Sequence, residues 1–160
     1  MVIRVGSGYD SHRFAEDRPL ILGGVHIPDH AGLTGHSDGD ALAHAITDAL
    51  LGAVGAGDIG KHFPPDRDEW EGADSIDLLA RAAHIVADLG WRAVNVDATV
   101  VCERPKIGPW SDAMRDRLAG ALGVSPADVS VKGKTNERMG WIGAGEGIAV
   151  HAVALVERTG

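Results

Sequence analysis

The sequence predicts an α+β fold, a two-layer sandwich in which three helices cover one face of a mainly β sheet. Three observations support this prediction: capped alanine- and leucine-rich segments, strands of alternating apolar residues, and the interleaving of the two along the chain. The 160 residues fit one domain, which we place over residues 1–160.

Five segments carry strand signals. An apolar-leaning stretch predicts a first strand over residues 2–8, with Asp10 and His12 at its end. Residues 20–27 form two short apolar runs around Gly23-Gly24, which is typical of a hairpin. Further strands are predicted over residues 91–102, 129–134 and 147–156, and the last of them has Ile148, Val150, Ala152, Ala154 and Val156 on one side. In residues 91–102 the alternation assigns one face to Val94, Val96, Ala98 and Val100.

Three segments combine helical periodicity with start and stop signals. They predict helices over residues 38–54, 75–89 and 109–122, with Ala73-Asp74-Ser75 capping the second helix and Gly123 stopping the third. Asp40 is placed in the first turn of the first helix, where a carboxylate suits the helix dipole. Residues 63–68 form a proline-rich, charged loop, a kind of connection that often carries function.

The amino-acid composition limits the classes of function that this protein can have. A net charge of −8 argues against a nucleic-acid or anionic-membrane surface, although a bound cation can still bring in a phosphorylated substrate. Cys102 is the only cysteine, so no intramolecular disulfide is possible, and we interpret it as a core residue of a cytoplasmic protein. No apolar run reaches the roughly 20 residues that span a bilayer, and the N-terminus lacks a signal-peptide pattern.

Asp10, His12 and His44 are candidate metal ligands. The spacing of two puts Asp10 and His12 on one face of a strand, and His44 projects from a predicted helix. Two imidazoles and one carboxylate suit zinc with an open fourth position. Ordinary surface or structural roles for these histidines stay open at this point, because the sequence does not show that His12 and His44 meet.

Four other motifs give only weak evidence of a function when each is considered alone. Residues 58–61 are either a helix-stop loop or a ligand loop, and residues 103–106 are either a solvated turn or a phosphate contact. Residues 132–137 end a strand in groups that can bind a diphosphate through backbone N–H groups and a divalent cation through Glu137. The glycine-dense residues 143–147 fit a tight turn equally well.

Taken in order, these motifs resemble the 2-C-methyl-D-erythritol 2,4-cyclodiphosphate synthase family over essentially the whole chain. The motifs that carry the resemblance are Gly8-Tyr9-Asp10-Ser11-His12, Leu22-Gly23-Gly24-Val25, His36-Ser37-Asp38-Gly39-Asp40 with His44, Asp58-Ile59-Gly60, Gly72-Ala73-Asp74-Ser75, Pro105-Lys106, Lys134-Thr135-Asn136-Glu137 and Gly145-Glu146-Gly147-Ile148.

The resemblance implies an enzyme of non-mevalonate isoprenoid precursor synthesis, a phosphorus–oxygen lyase. Its substrate would be 4-diphosphocytidyl-2-C-methyl-D-erythritol 2-phosphate, and its products the cyclic diphosphate and CMP. The 2-phosphate would attack the β-phosphorus. The family is a homotrimer with active sites between subunits, so the same assembly is implied here.

The resemblance also implies site roles. Zn²⁺ or another divalent cation would be held by Asp10, His12 and His44, and Mg²⁺ or Mn²⁺ by Glu137. Transition-state stabilisers would be His36 and Thr135. The substrate-binding residues implied are Asp10, His12, His36, Ser37, Asp58, Ile59, Gly60, Phe63, Asp66, Arg67, Pro105, Lys106, Lys134, Thr135, Asn136, Glu137 and Trp141. Among these, Asp58 and Gly60 would bind the erythritol moiety, with the loop 63–67 over it. Residues 102–108, including Lys106, and residues 134–136 would form the cytidine and phosphate pocket.

Some positions depart from the family pattern. Pro65 and Arg67 stand where acidic or hydroxyl residues are frequent, which leaves the contacts of that loop open. Ala144 stands where some members carry an arginine at the trimer axis, which argues against binding of an isoprenoid diphosphate in a central cavity. Trp141 replaces a frequent phenylalanine. The length leaves no room for the cytidylyltransferase domain fused to some members, so we expect the single activity.

Two other function classes compete with this interpretation. A zinc-dependent phosphohydrolase would use the same metal ligands with water as nucleophile, but would not need a base-binding pocket. A non-catalytic oligomeric scaffold would use the metal only to stabilise its fold, and a fourth protein ligand would support it.

Overall fold

A computed structural model describes all 160 residues, Met1–Gly160. The strands are β1 (Ile3–Ala15), β2 (Leu20–Leu22), β3 (Val25–Ile27), β4 (Gly32–Leu33), β5 (Trp91–Val101), β6 (Val129–Lys134) and β7 (Gly147–Arg158). The helices are α1 (Ala41–Ala53), α2 (Ile59–His62), α3 (Ser75–Asp88), α4 (Ser111–Leu122) and α5 (Gly140–Gly143). Single 3₁₀ turns cover Asp68–Trp70, Gly108–Trp110 and Pro126–Asp128.

The main sheet has five strands in the order β4-β1-β7-β5-β6. Its neighbours are antiparallel except β5 and β6, which run parallel because α4 lies between them in sequence and returns the chain to the same end. The hairpin predicted around Gly23-Gly24 is confirmed as a separate two-stranded sheet, β2-β3.

Three helices lie against one face of the main sheet, as predicted. Helix α1 packs on β1 and β7, while α3 and α4 contact β5 and β6 and pack against each other. The predicted inward face of the last strand is confirmed: its helix-side residues are all buried, namely Ile148, Val150, Ala152, Ala154 and Val156. The short helices α2 and α5 and the strand β4 were not predicted. None of the helices combines the length and apolar character that crossing a membrane requires.

The opposite face of the sheet is uncovered and partly apolar. On β1 and β7 it exposes Ile3 (53%), Val5 (65%), Tyr9 (51%) and Val153 (47%). The pairing of Ser7 with Val153 and of Tyr9 with His151 makes this a continuous surface, which we call the outer apolar face.

Helix α1 lies unusually close to β1 because two strand residues on its side are glycines. A Cβ on Gly6 would lie 2.0 Å from the carbonyl oxygen of Ala49, and one on Gly8 would lie 1.9 Å from that of Ala45. Any side chain at either position would push the helix away from the strand. This contact brings the first turns of α1 beside the residues that follow Gly8 on β1.

Several sequence predictions need correction. The first strand runs to Ala15 and not to Gly8, so Asp10 and His12 lie inside it and not at its end. Val94 is not part of the buried alternation, because the strand is irregular between Ala93 and Asn95 and the buried row continues from Ala93 to Val96.

The helix ends follow the sequence signals closely. Asp40 is the N-cap of α1 and not a first-turn residue. Asp74 caps α3 as predicted, and Gly123 ends α4 in the left-handed conformation with φ 71°. Cys102 is confirmed as a core residue, 4% exposed.

Candidate metal centre and substrate cavities

Three side chains converge between β1 and α1 and form what we call the metal cluster: Asp10, His12 and His44. Oδ2 of Asp10 lies 2.8 Å from Nε2 of His12 and 3.2 Å from Nδ1 of His44. One ligand atom from each residue lies within 4.8 Å of the others. Two imidazole nitrogens and a carboxylate oxygen at this spacing fit a divalent cation such as zinc and leave a further coordination position open.

The pKa values in the metal cluster reflect the mutual contacts of its members. Burial opposes ionisation of Asp10, but its hydrogen bonds with His12 and His44 outweigh that effect and lower its pKa to about 2. Burial alone would lower the pKa of His44, yet the hydrogen bond and charge of Asp10 raise it above its usual value. A carboxylate that stays ionised and draws positive charge towards itself is suited to binding a cation.

The other ring nitrogen of His44 faces two hydroxyl groups. Its Nε2 lies 2.8 Å from Oγ of Ser75 and 3.1 Å from Oγ of Ser37. Ser75 in turn donates its hydroxyl hydrogen to Asp38. His44 is therefore held at both nitrogens, one by the metal cluster and one by the start of α3.

Asp40 ties the β2-β3 hairpin to α1. Its carboxylate accepts hydrogen bonds from the backbone N–H groups of Gly23 (2.9 Å), Gly24 (2.8 Å) and Ala43 (3.0 Å). Burial raises the pKa of this carboxyl to about 6. Its role is structural, since all of its contacts are backbone donors.

The loop before α1 carries His36 and Ser37 and is held by Arg18. The Arg18 guanidinium donates to the carbonyl oxygens of Gly35 (2.6 Å) and Ser37 (2.5 Å). His36 Nε2 contacts the carbonyl oxygen of Arg67 at 3.2 Å, which joins this loop to the loop 63–67. Sequence reasoning did not identify Arg18, whose position far from the motifs gives no signal.

A cavity of about 210 Å³, which we call the cluster cavity, opens beside the metal cluster. It brings together eight residues predicted for the site: Asp10, His12, His36, Ser37, His44, Ile59, Gly60 and Phe63. Pro65, Trp70 and Leu78 also line it, and Trp70 packs edge-on against Phe63 with ring centroids 5.2 Å apart. Trp70 and Leu78 were not predicted; only their spacing from the loop 63–67 could have indicated them.

Three of the residues predicted for the methylerythritol side, namely Asp58, Asp66 and Arg67, do not line the cluster cavity. Asp58 caps α2, its Oδ1 accepting the backbone N–H of Lys61 at 2.9 Å. Asp66 is exposed, and Arg67 forms an exposed ion pair with Glu69 at 3.5 Å. Arg67 reaches the site through its backbone carbonyl rather than its guanidinium.

A second cavity of about 330 Å³, which we call the edge cavity, lies where β5 and β6 end. It brings together Pro105, Lys106, Lys134 and Thr135, all predicted to bind substrate. The adjoining turn is held by Glu103, whose Oε1 accepts the backbone N–H groups of Asn136 (3.2 Å) and Arg138 (2.9 Å).

Glu137 projects from this turn in a left-handed conformation with φ 51°. It accepts a 3.3 Å hydrogen bond from the hydroxyl of Thr135 and makes no ion pair. Neither Glu137 nor Asn136 lines the edge cavity itself.

Trp141 lies apart from both of these cavities. With Ser11, His12, Arg13 and Glu146 it lines a third cavity of about 400 Å³. Arg13 and Glu146 form an exposed ion pair at 3.3 Å there. His12 is the only residue that this third cavity shares with the cluster cavity.

The cluster cavity and the edge cavity share no residue. The sheet explains their separation: Asp10 pairs with Val150, Val150 with Val100, and Val100 with Gly133. These residues form one row across four strands, so Asp10 and Gly133 are three strand spacings apart, roughly 14 Å. The two cavities therefore lie at the same height of the sheet but on different strands.

Comparisons with known proteins agree with this architecture. Residues 3–157 match the YgbB family. The chain is 58% identical over 152 residues to 2-C-methyl-D-erythritol 2,4-cyclodiphosphate synthase of Symbiobacterium thermophilum, covering 95% of this chain and 97% of that one. It is 57% identical over 160 residues to the synthase of Dechloromonas aromatica, covering all of both chains. A Plasmodium falciparum IspF structure in complex with CDP superposes with a TM-score of 0.85 at 34% identity, covering 99% of this chain and 97% of that one.

Proposed function

The chain belongs to the YgbB family, and we propose that it converts 4-diphosphocytidyl-2-C-methyl-D-erythritol 2-phosphate to 2-C-methyl-D-erythritol 2,4-cyclodiphosphate and CMP. The observation that carries the proposal is the metal cluster, which opens onto a cavity lined by His36 and Ser37. A cation-binding group beside a cavity that carries histidine and serine side chains is what a diphosphate substrate requires in a protein of net charge −8.

The reaction is an intramolecular phosphoryl transfer. An oxygen of the 2-phosphate forms a bond to the β-phosphorus, and the bond from the β-phosphorus to the bridging oxygen breaks. That oxygen and its electron pair leave with CMP. The attacking phosphate is already ionised at neutral pH, so no strong base is needed. Positioning of the two phosphates and neutralisation of their charge therefore provide most of the acceleration.

Asp10, His12 and His44 would hold Zn²⁺ or another divalent cation, and Glu137 would hold Mg²⁺ or Mn²⁺ together with substrate phosphates. Such cations, when bound, supply Lewis-acid neutralisation of the diphosphate. The single unpaired carboxylate of Glu137 fits Mg²⁺, which is commonly bound by one or two carboxylates plus substrate oxygens.

His36 and Thr135 are proposed to stabilise the transition state. The Nε2 atom of His36 lies 3.2 Å from the carbonyl oxygen of Arg67, which holds the ring beside the cluster cavity; a ring protonated at both nitrogens would offer Nδ1–H to a phosphate oxygen. The Thr135 hydroxyl, now turned to Glu137, offers a second donor at the edge cavity. Ser37 and the residues 58–60 are proposed to contact the methylerythritol moiety from the cluster cavity, and Lys106 and Lys134 the nucleotide from the edge cavity.

We further propose a homotrimer in which each active site joins the cluster cavity of one subunit to the edge cavity of its neighbour. Two observations support this assembly. The outer apolar face exposes several large apolar side chains to water, and their burial against another copy of the chain would be favourable. The two cavities share no residue within one chain, although one substrate must contact both.

Phosphorus NMR of the purified protein with 4-diphosphocytidyl-2-C-methyl-D-erythritol 2-phosphate and magnesium tests the proposal. We expect equal release of CMP and a cyclic diphosphate, and loss of both signals when a zinc chelator is added. Release of CMP with a linear, hydrolysed product would instead indicate a phosphohydrolase. A folded, zinc-loaded protein that does not turn over the substrate would indicate the non-catalytic scaffold.

A further inference from the structure

His44 is the one member of the metal cluster whose ring is contacted at both nitrogens. Nδ1 lies 3.2 Å from Oδ2 of Asp10, and Nε2 lies 2.8 Å from Oγ of Ser75. A neutral imidazole has one N–H and one lone pair, and only the lone pair binds a metal. Which nitrogen faces the cation therefore depends on where the hydrogen is held.

The contacts of Asp38 determine the direction of the hydrogen bond between Ser75 and His44. The Asp38 carboxylate accepts the backbone N–H groups of Asp40 (3.1 Å) and Ser75 (3.0 Å), and Ser75 Oγ lies within hydrogen-bond distance of Oδ1. A carboxylate surrounded by donors accepts the single hydrogen of the Ser75 hydroxyl. The Ser75 oxygen then faces His44 with a lone pair, so Nε2 must be the nitrogen that carries the hydrogen.

We propose that Ser75, oriented by Asp38, is a positioning residue that holds His44 as its Nε2–H tautomer and thereby presents the Nδ1 lone pair to the cation. This inference rests on the proposed metal role of His44. The partner of a metal-bound imidazole commonly changes metal affinity 10–100-fold, so the effect is large enough to measure.

A purely structural role does not explain the side chain of Ser75. The residue is completely buried at the first position of α3, but the capping bond of that helix is made by Asp74, whose Oδ1 accepts the N–H of Ile76 at 2.8 Å. The Ser75 hydroxyl takes no part in that capping hydrogen bond. Its contacts are with Asp38, with His44 and, at 3.4 Å, with the Ser37 hydroxyl.

Ser37 is a weaker candidate for the same role. Its Oγ is 3.1 Å from Nε2 of His44, longer than the Ser75 contact, and it accepts the N–H of Gly39 at 3.4 Å. No carboxylate takes its hydrogen. The Ser37 hydroxyl can therefore donate to Ser75 or to a ligand in the cluster cavity, which agrees with its proposed contact with substrate.

Zinc affinity measured by competition with a chromogenic chelator tests the inference without substrate. We expect Ser75→Ala to bind zinc roughly 10–100-fold more weakly than the unmodified protein. Asp38→Asn should also weaken binding, because an amide no longer compels Ser75 to act as an acceptor. Thr47→Val is the matched control: it removes another buried hydroxyl of the same region, which donates to the carbonyl of Ala43 and makes no hydrogen bond with His44. Its zinc affinity should be unchanged.

Nitrogen NMR of the zinc-loaded protein gives a second readout. We expect the unmodified protein to show zinc on Nδ1 of His44 and a slowly exchanging Nε2–H, and Ser75→Ala to show faster exchange of that hydrogen with solvent. A thermal melt confirms that each zinc-free variant folds. Equal zinc affinity and equal exchange in Ser75→Ala would overturn the inference while leaving the metal cluster intact. Failure of the unmodified protein to bind zinc would instead overturn the proposed metal site.

Discussion

The metal cluster and the turn that carries Glu137 differ in how the chain holds them. The cluster lies between the two layers, where Asp10, His12 and His44 contact one another and His44 is backed by Ser75. The Glu137 turn is exposed, and its carboxylate meets only the hydroxyl of Thr135. The comparison indicates that one chain assembles the metal cluster by itself but presents outward the residues that are proposed to meet the nucleotide.

The largest expected effect comes from removing a cluster ligand. His44→Ala should abolish zinc binding and lower kcat by on the order of 10³-fold or more, because it removes a proposed metal ligand and with it the proposed charge neutralisation of the diphosphate. The variant should keep its oligomeric state, since His44 is not on the outer apolar face. Steady-state kinetics, metal analysis and light scattering measure these three properties.

His84→Ala is the control for this substitution, because His84 is an exposed histidine of α3 away from all three cavities that carry predicted site residues. It should retain zinc and turnover. Normal turnover in His44→Ala would remove His44 from the metal assignment.

The next largest effect is expected from low pH, which should weaken zinc binding by the metal cluster. The pKa of His44 is raised above its ordinary value of about 6.5, so lowering the pH through that raised value protonates the ring and prevents coordination. In the zinc-free protein the charged ring facing Asp10 stabilises the fold at low pH, and this contribution is lost as the pH rises through the raised pKa. The stabilisation by zinc should therefore grow from pH 5.5 to 8.

Thermal melts with zinc and with chelator at each pH measure this difference. At a zinc concentration of about 100 times Kd we expect the difference in Tm at pH 8 to be on the order of 5–10 °C. A difference that is constant across this pH range would show that no group with a raised pKa competes with the metal.

A smaller and separate effect is expected at the Glu137 turn. Glu103→Ala removes the acceptor of two backbone N–H groups and should raise the KM for substrate about tenfold, since lost hydrogen bonds of this kind cost about 1–2 kcal/mol. Glu103→Gln keeps a carbonyl oxygen in the same place and should restore most of the affinity. Zinc binding should be normal in both, and a change in zinc affinity would contradict the independence of the two regions.

The smallest effect is expected at Cys102, which lines the edge cavity but belongs to the core. Burial, together with the charge of Glu103, raises the pKa of this thiol to about 12. The folded protein should therefore react with less than about 5% of an added thiol reagent in an hour at pH 8, while the unfolded chain reacts fully. Rapid labelling of the folded protein, followed by mass spectrometry, would show that the edge cavity opens into the core.

Much of the architecture was predictable because its signals are local. The Gly23-Gly24 hairpin, the Asp74 cap and the Gly123 stop each depend on a few neighbouring residues and are confirmed. The length of β1 was not predictable in the same way. Its inward row beyond Gly6 is Gly8, Asp10 and His12, which carries no apolar alternation because α1 lies directly above the glycines and the cluster follows.

The candidate site also has features with a local sequence signal and features that depend on contacts between distant residues. The spacing of Asp10 and His12 correctly indicated one face of a strand, and the structure adds the meeting with His44 that no local pattern contains. Arg18, Ser75 and Trp70 contribute through contacts with residues far away in sequence, so their roles appear only in the folded chain. The predicted roles of the remaining substrate-binding residues stay predictions.

Mixing of two inactive variants tests most directly whether each active site is shared between subunits. His44→Ala disables the cluster, and the double variant Thr135→Ala, Glu137→Ala disables the nucleotide side. After subunit exchange at equal amounts, the trimer account predicts that about one quarter of the sites regain both intact halves, with turnover returning in proportion. No recovery in trimers shown by native mass spectrometry to be mixed would contradict it, because both halves would then have to come from one chain.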